Sequence, residues 1–586
     1  MDLGWQAYVT LGALVLMVVA LVRSVARTDL VLMGTLGLLL LAGIVTPEAA
    51  FAGFANPAVI AIATLFIVAA GVERTGALGF LDGLLRPRSG RIGRSLLRLM
   101  LPTSFLSGVL NNTPIVAMLI PRVQAWGRSS GIDASKLLMP LSTAAIVGGW
   151  LTLIGTSTNV IVHGLLLAEG LPGFSFFELT WVGIPAALVV SLYYALGGHR
   201  LLPSHDGAAL GTQARAYQFE ARVAPGSPLI GQTVEAAGLR TLGDVYLAHV
   251  RRGDLVKEVQ PETTLFPEDV LTFVGDVGTH DAVLRRRGLE RAAPMVNDAR
   301  NPDLPLFEVV VAPGSRLVGH TLQDVGFRER YGGVVLAIQR RDEPIEGGLG
   351  RVPLRAGDLL LIEGRPALAG RLAARSDDFA LVAPLGYVGT VSSRAPVALA
   401  ILVGMVGLVA TNVLPLATAT FAAALGMIVT GCLRGSALRG AVDVPVILVI
   451  AAALGIGSAV ETTGLASVAA EGLLMASGAL GPIAMLVLVY IAANILAELI
   501  TNKASAVLML PVALAVAADL GASWKAFAVV VTIGSAASFL TPIGYQTNLM
   551  VMGVGGYRYT DYAKAGAPVS LLVMAVTVTV CALVWL

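Results

Sequence analysis

A stretch that is apolar over most of its length, Ser104 to Pro121 (SFLSGVLNNTPIVAMLIP), carries two amides and a hydroxyl at its centre, Asn111, Asn112 and Thr113. A lipid-facing helix has no use for such a cluster, because polar groups taken out of water without partners cost free energy. The arrangement returns in Leu496 to Pro511 (LAELITNKASAVLMLP), with Asn502 in place of Asn112 and Pro511 in place of Pro121 at one shift (502 − 112 = 390). A chain with this pattern has few folds open to it. It must hold two polar tips at membrane depth, one in each of two related halves, and cargo is expected at those tips.

Composition supports the same class. Of 586 residues, 56% are hydrophobic and only 13% are charged, which places the chain among polytopic membrane proteins in a lipid bilayer. The net charge of +2 reports topology and gives no reason to expect a nucleic-acid partner. Cys432 and Cys581 lie in or beside apolar runs, so neither a disulfide framework nor a cysteine metal site is expected. The first residues lack a basic segment before their apolar run, which suits a first spanning helix better than a cleaved signal.

At about 20 apolar residues per span, helices are expected near 5–22, 29–45 and 56–72, followed by a segment rich in arginine (Arg74, Arg86, Arg88, Arg91, Arg94, Arg98). The run 95–121 has basic residues at both ends and polar residues in the middle, which predicts a re-entrant hairpin turning at Asn111 to Pro114. Such a turn is tolerated only where it is buried in protein or lines a wet cavity. Residues 137–168 form a long apolar segment broken by Gly155, Thr156, Ser157, Thr158 and Asn159. Small and polar residues in a row unwind a helix at this depth, exposing carbonyls to a cation and a helix N-terminus to an anion. Thr158 and Asn159 are therefore candidates for anion binding. A fifth span is expected at 177–197.

The second half repeats the order: spans near 395–411, 414–431 and 444–460, a hairpin at 482–512, a broken helix at 524–553 and a last span at 566–586. Its break, Thr541 to Asn548 (TPIGYQTN), aligns with Thr152 to Asn159 (TLIGTSTN), so that Gly544 matches Gly155, Thr547 matches Thr158 and Asn548 matches Asn159. Five crossings plus a hairpin per repeat insert the second copy upside down relative to the first. The excess of Lys and Arg then puts both termini outside the cytoplasm of a multi-pass protein of the inner (plasma) membrane. The expected domains are transmembrane repeats at 1–200 and 390–586.

Between them lies a polar insert of short alternating strands with its own repeat. Val223-Ala224-Pro225-Gly226-Ser227 returns as Val311-Ala312-Pro313-Gly314-Ser315, 88 positions later (311 − 223 = 88). Two small α+β domains are expected, at 216–290 and 300–376, on the cytoplasmic side. Their turns at Gly226, Ser227, Gly314 and Ser315 are candidates for a pocket holding a cytoplasmic small-molecule ligand.

At these residues the chain resembles the divalent anion/sodium symporters (DASS, SLC13-like permeases). The tips Asn111-Asn112-Thr113 and Thr501-Asn502-Lys503 resemble the Ser-Asn-Thr tips of that family, and the breaks resemble its Gly-Thr-Pro-Pro-Asn loops. The insert is similar to a pair of TrkA-C (RCK-C) regulatory domains. The resemblance implies a homodimer working by an elevator-like movement, with sodium as the coupling ion and no organic cofactor. It places a cation at Ser107, Asn111, Asn112, Gly155 and Thr156, and a second at Thr501, Asn502 and Gly544. The small anionic substrate would meet Asn112, Thr113, Thr501 and Asn502. Lys503 stands where the family has Thr, and Ala497 where a hydroxyl is expected. The ammonium of Lys503 either faces the anion, replaces the second cation, pairs with Glu498, or snorkels to water.

The expected activity is secondary transport of a divalent anion, sulfate or a C4 dicarboxylate, driven by sodium or protons. A cation/proton antiporter and a ligand-gated cation channel are the alternatives, and the channel lacks any carbonyl-rich filter sequence. Neither a paired metal-ligand motif nor a nucleophile with its base points to an enzyme.

Overall fold

The computed structural model describes residues 4–586 apart from 24, 78–91, 205–217, 240, 243–244, 254, 260–261, 275–287, 292–305, 313–314, 341–342, 346–348, 365–367, 369–370, 373–377, 385–391, 436–437, 439–440 and 478–480. Arg86, Arg88, Arg91, Gly314 and Arg439 lie outside the described residues. The chain divides into two compact units, Met1–Ser204 with Val388–Val551 and Arg558–Leu586, and His205–Tyr387 with Met552–Tyr557.

The first unit is helical. Its first half contains α1 (Trp5–Val22), α2 (Thr28–Leu41), α3 (Pro57–Thr75), α4 (Ile92–Ser107), α5 (Asn112–Ser130), α6 (Ser135–Gly148), α7 (Ser157–Ala168) and α8 (Thr180–Leu196). The second half contains α9 (Ala395–Ala410), α10 (Leu416–Val429), α11 (Val444–Thr462), α12 (Leu465–Ser477), α13 (Pro482–Leu499), α14 (Asn502–Asp519), α15 (Trp524–Ala536), α16 (Gln546–Gly555) and α17 (Tyr559–Val584). Among the described residues, six helical segments are long and apolar enough to cross a membrane, and seven shorter helices are also apolar. The protein is a polytopic α-helical membrane protein with two small β-sheets.

The repeat is visible in the caps. Asn56 accepts the Ala58 N–H at 2.8 Å to start α3, and Asp443 accepts the Val446 N–H at 3.3 Å to start α11. In each case proline occupies the first turn, where its missing N–H is harmless. The halves interlock, because α2 packs on α11 and α10 packs on α3. Thr64 of α3 donates to Thr420 of α10 at 2.8 Å in a buried hydroxyl pair. Within each half the first hairpin arm packs on the helix before the break, α4 on α6 and α13 on α15. In the first half this approach requires glycine, since a Cβ at Gly148 would sit 2.3 Å from the Ser104 carbonyl oxygen.

One element departs from the sequence expectation. Residues 461–481 read as a loop without Lys or Arg, yet Leu465–Ser477 is a helix. Leu465 and Ala466 are buried with Ala7 and Val460, so a short apolar face docked on α1 and α11 stabilises a segment too short and too polar to read as a span.

The second unit contains two antiparallel sheets of matching design. The first joins β1 (Gln218–Val223), β2 (Thr241–Leu242), β3 (Val245–Arg252), β4 (Leu255–Glu258), β5 (Val270–Val274) and β6 (Leu289–Arg291), with β5 between β3 and β1. The second joins β7 (Leu306–Val311), β8 (Val334–Arg340), β9 (Glu343–Pro344), β10 (Leu359–Glu363) and β11 (Phe379–Pro384), with β10 between β8 and β7. The turn before the central strand of each sheet ends in a buried aspartate clamped by an arginine. Arg252 holds both oxygens of Asp269 at 2.8 Å, and Arg340 holds those of Asp358 at 2.9 and 2.8 Å. His249 Nε2 meets Glu363 Oε2 at 2.5 Å, which links the two copies.

Arg340→Met leaves the Asp358 carboxylate, 1% exposed, without its counter-charge, at an expected cost of about 3 kcal/mol; faster hydrogen exchange of the β10 amides in the intact protein measures it. In the turn after α7, Glu169 is pushed up to about 7 by burial, by its hydrogen bond to Glu461 and by that neighbour's charge. A carboxyl raised above its usual range binds more protons folded than unfolded between about pH 4.5 and 7. Stability should therefore fall as pH rises through that window, and thermal melts of Glu169→Gln should lack that fall.

Candidate functional site

α4 ends at Ser107 and α5 begins at Asn112, so the first tip is a four-residue turn between two helix ends. Ser107 Oγ donates to the Ala145 carbonyl at 2.7 Å. The Asn112 side chain is fully buried, and one orientation of its amide satisfies every neighbour. Its nitrogen donates to Ser107 Oγ (2.6 Å), Ala145 O and Gly155 O (both 3.2 Å), and its oxygen accepts from the Tyr545 hydroxyl at 2.6 Å. Gly155 has to be glycine: a Cβ there would meet the Gly149 carbonyl oxygen at 2.6 Å and that of Ser107 at 2.8 Å. Tip and break thus share one cluster of neutral oxygen donors.

Both breaks are closed by the same device. Asn159 Nδ2 donates to the carbonyls of Gly149 (2.8 Å) and Thr152 (2.9 Å), and Asn548 Nδ2 to those of Ser538 (2.9 Å) and Thr541 (3.4 Å). These asparagines staple the unwound turn with their nitrogens. Asn159 Oδ1 is buried without a partner among the described residues, which leaves one oxygen available to a cation. Asn548 Oδ1 and Thr547 Oγ1 accept from Ser142 at 2.7 and 2.9 Å. Thr158 is buried at the start of α7.

The second tip differs. Thr501 caps α14 by accepting the Ala504 N–H at 3.2 Å, and Asn502 Oδ1 accepts from Ser538 Oγ at 3.0 Å. Glu498 is held by the Leu540 N–H (2.8 Å) and the Thr541 hydroxyl (2.6 Å), and Gly544 N donates to that same hydroxyl at 3.0 Å. Lys503 forms no ion pair with Glu498; the acids whose charge acts on it are Asp443 first and then Asp29, which is itself paired with Arg27 at 3.1 Å. Its position in the first turn of α14 explains the need for two acids, because a helix N-terminus repels a cation.

Sequence reasoning missed Tyr545 and Gln546. The Tyr545 hydroxyl donates to Asn112 and lies 3.1 Å from Thr156 Oγ1, and Thr113 Oγ1 donates to Gln546 Oε1 at 3.4 Å. The N-termini of α5, α7 and α16 therefore meet across the repeat boundary. The one available signal was an aromatic residue inside an otherwise small and polar break. Beside this junction lies a cavity with Asn111, Thr156 and Ser157 as its polar lining and Ile62, Leu65 and Phe66 of α3 on its apolar side.

Of the other candidates, Ser227 and Ser315 brace their own turns, accepting the Leu229 and Leu317 N–H groups at 3.2 and 3.0 Å, and the Ser315 hydroxyl also donates to Asp378 Oδ1 at 3.3 Å. Gly226 supplies the left-handed backbone the first turn needs. Among the described residues, no group of three His, Cys, Asp or Glu side chains is placed to hold a metal ion, so a cation would be bound by neutral oxygens and single carboxylates.

The citrate transporter (CitMHS) family model matches residues 14–534. The chain belongs to this family. It is 36% identical to a putative sulfur deprivation response regulator of Chlamydomonas reinhardtii, over 96% of this chain and 99% of that one. It is 32% identical to the uncharacterized transporter YfbS of Escherichia coli, over 97% of each. It is 26% identical to sodium/sulfate cotransporter 1 of Chlamydomonas reinhardtii, over 91% of this chain and 84% of that one. The family member described here is a membrane transporter and not an enzyme.

Tyr545→Phe would leave the buried Asn112 oxygen without a donor. The expected cost is about 1–3 kcal/mol, read as a lower melting temperature together with faster exchange of the amides of residues 107–113.

Proposed function

We propose that this transporter moves a small divalent oxyanion, sulfate first and a C4 dicarboxylate second, together with sodium. The observation that carries the reading is the junction at Tyr545, where Asn112, Thr113, Thr156 and Gln546 bring three helix N-termini together. Each N-terminus presents unpaired N–H groups and on the order of half a positive charge. Amides and hydroxyls then orient an anion without a fixed cation. Such a site binds well only when mobile cations complete the charge balance, since neither ion is stable alone in a desolvated pocket. That is the physical reason for coupling.

The named sodium/sulfate cotransporters among the relatives support sulfate as the anion and sodium as the driving ion. The first cation would use Ser107, Asn111, Asn112 and the turn at Gly155 and Thr156. The second would use Thr501, Asn502 and the turn at Gly544, and the anion would lie between the tips, near Thr158, Asn159, Thr547 and Asn548. Because the charges of Asp443 and Asp29 act on Lys503, we assign it to holding the second tip in place; direct contact with the anion is the weaker assignment. A homodimer with an elevator-like movement, and regulation by TrkA-C-like domains at 216–290 and 300–376, complete the proposal.

Uptake of labelled sulfate, succinate and citrate into proteoliposomes, with imposed sodium or proton gradients, tests it. Sulfate uptake should follow the sodium gradient, and Asn112→Ala and Asn502→Ala should each lower it at least tenfold in protein that remains monodisperse. Movement of sodium or potassium without any anion would remove the reading.

A further inference from the structure

The two tips are built on one plan, but their charges are not. The counterpart of Ser107 is Ala497 (497 − 107 = 390), which has no oxygen to offer. The next position compensates: Gly108 in the first half becomes Glu498 in the second. In the first half the Thr152 hydroxyl donates to the Gly108 carbonyl. In the second, the matching Thr541 hydroxyl donates to the Glu498 carboxylate at 2.6 Å. A Cβ at Gly544 would stand 2.5 Å from Glu498 Oε2, so the carboxylate lies against the unwound turn itself.

This is a poor place for an anion unless a cation joins it. Glu498 sits in the last turn of α13, where the helix presents unpaired carbonyls and the negative end of its dipole. Its hydrogen-bond donors are all neutral groups, the Leu540 N–H and the Thr541 hydroxyl with the backbone amides of Phe539 and Thr541 beside them. Among the described residues no Lys, Arg or His side chain forms an ion pair with it, and the acids whose charge acts on Lys503 are Asp443 and Asp29. A carboxylate, a helix C-terminus, a threonine hydroxyl and the Asn502 carbonyl oxygen are thus gathered at one break with no permanent positive charge. Hard monovalent cations take oxygen ligands of this kind, and an anionic ligand raises their affinity.

We propose that Glu498 is an anionic ligand of a sodium ion at the second tip, and that its charge replaces the hydroxyl missing at position 497. The two coupling sites are then unlike: the first is made of neutral oxygens, and the second carries a full negative charge. The second site should therefore fill at lower sodium and be occupied before the anion arrives.

The proposal rests on the sodium-coupled reading, and its test is separable from that reading. The intact protein in detergent is melted over a range of sodium chloride concentrations, with choline chloride holding ionic strength constant. Sodium should raise the melting temperature of the wild type, Glu498→Gln should move the half-maximal sodium concentration up at least tenfold, and Glu498→Asp should fall between. A carboxylate that only braced the turn would lower the melting temperature at every sodium concentration without moving that midpoint, and this result overturns the proposal. So does a wild type protected by acid but not by sodium. If Glu498→Gln fails to fold, the shift in Glu498→Asp decides. Sodium protection without sulfate uptake in the same preparation would discard the anion assignment and keep the Glu498 site.

Discussion

Asn159 and Asn548 supply to two unwound helices what water cannot supply at membrane depth. An unpaired backbone carbonyl in an apolar surrounding costs several kcal/mol, so a broken helix survives there only if something reaches across the gap. Each asparagine spans it with two bonds, to residues ten and seven positions earlier. Everything else at the site depends on that repair. With the break held open at a fixed width, α7 and α16 can start afresh with their N-termini pointing inward, and Gly155 and Gly544 can lie flat against the hairpins.

The charges follow a rule that is easy to miss in a list of residues. At the second tip an acid stands at the negative end of one helix and a base at the positive end of the next, each against the local dipole. Had the two paired with each other, the tip would be a closed ion pair with no bearing on ions in solution. Instead the base lies in the field of Asp443 and Asp29, and the acid is left to neutral donors. Asp443 is also the cap of α11, so one carboxylate fixes a helix start and faces the tip.

The sequence made the membrane class and the repeat legible because polar residues interrupt apolar runs at a constant spacing. Asn112 and Gly155 were singled out as interruptions, and the structure brings them together with Ser107. What the spacing could not show was contact between halves. Tyr545 aligns with Thr156 as a mere substitution within a break, and only the fold shows that the larger side chain crosses to Asn112. Glu498 and Lys503 are close along the chain and opposite in charge, which suggested a pair; the turn between α13 and α14 gives them different partners. The α12 helix was hidden for another reason. Its stability comes from docking a short face, and neither its length nor its periodicity announces that.

The interlocking of α2 with α11 and of α3 with α10 has a consequence for how the protein is made. When α3 leaves the ribosome, its partner is still more than three hundred residues away in the sequence. At about 5–20 residues per second the wait is on the order of half a minute. During that time α2 and α3 must be stable in lipid without α10 and α11, with Thr64 lacking the hydroxyl it will later meet. Their nearly continuous apolar surfaces suit that interval as well as the finished fold. Synthesis order thus constrains these helices separately from the final packing.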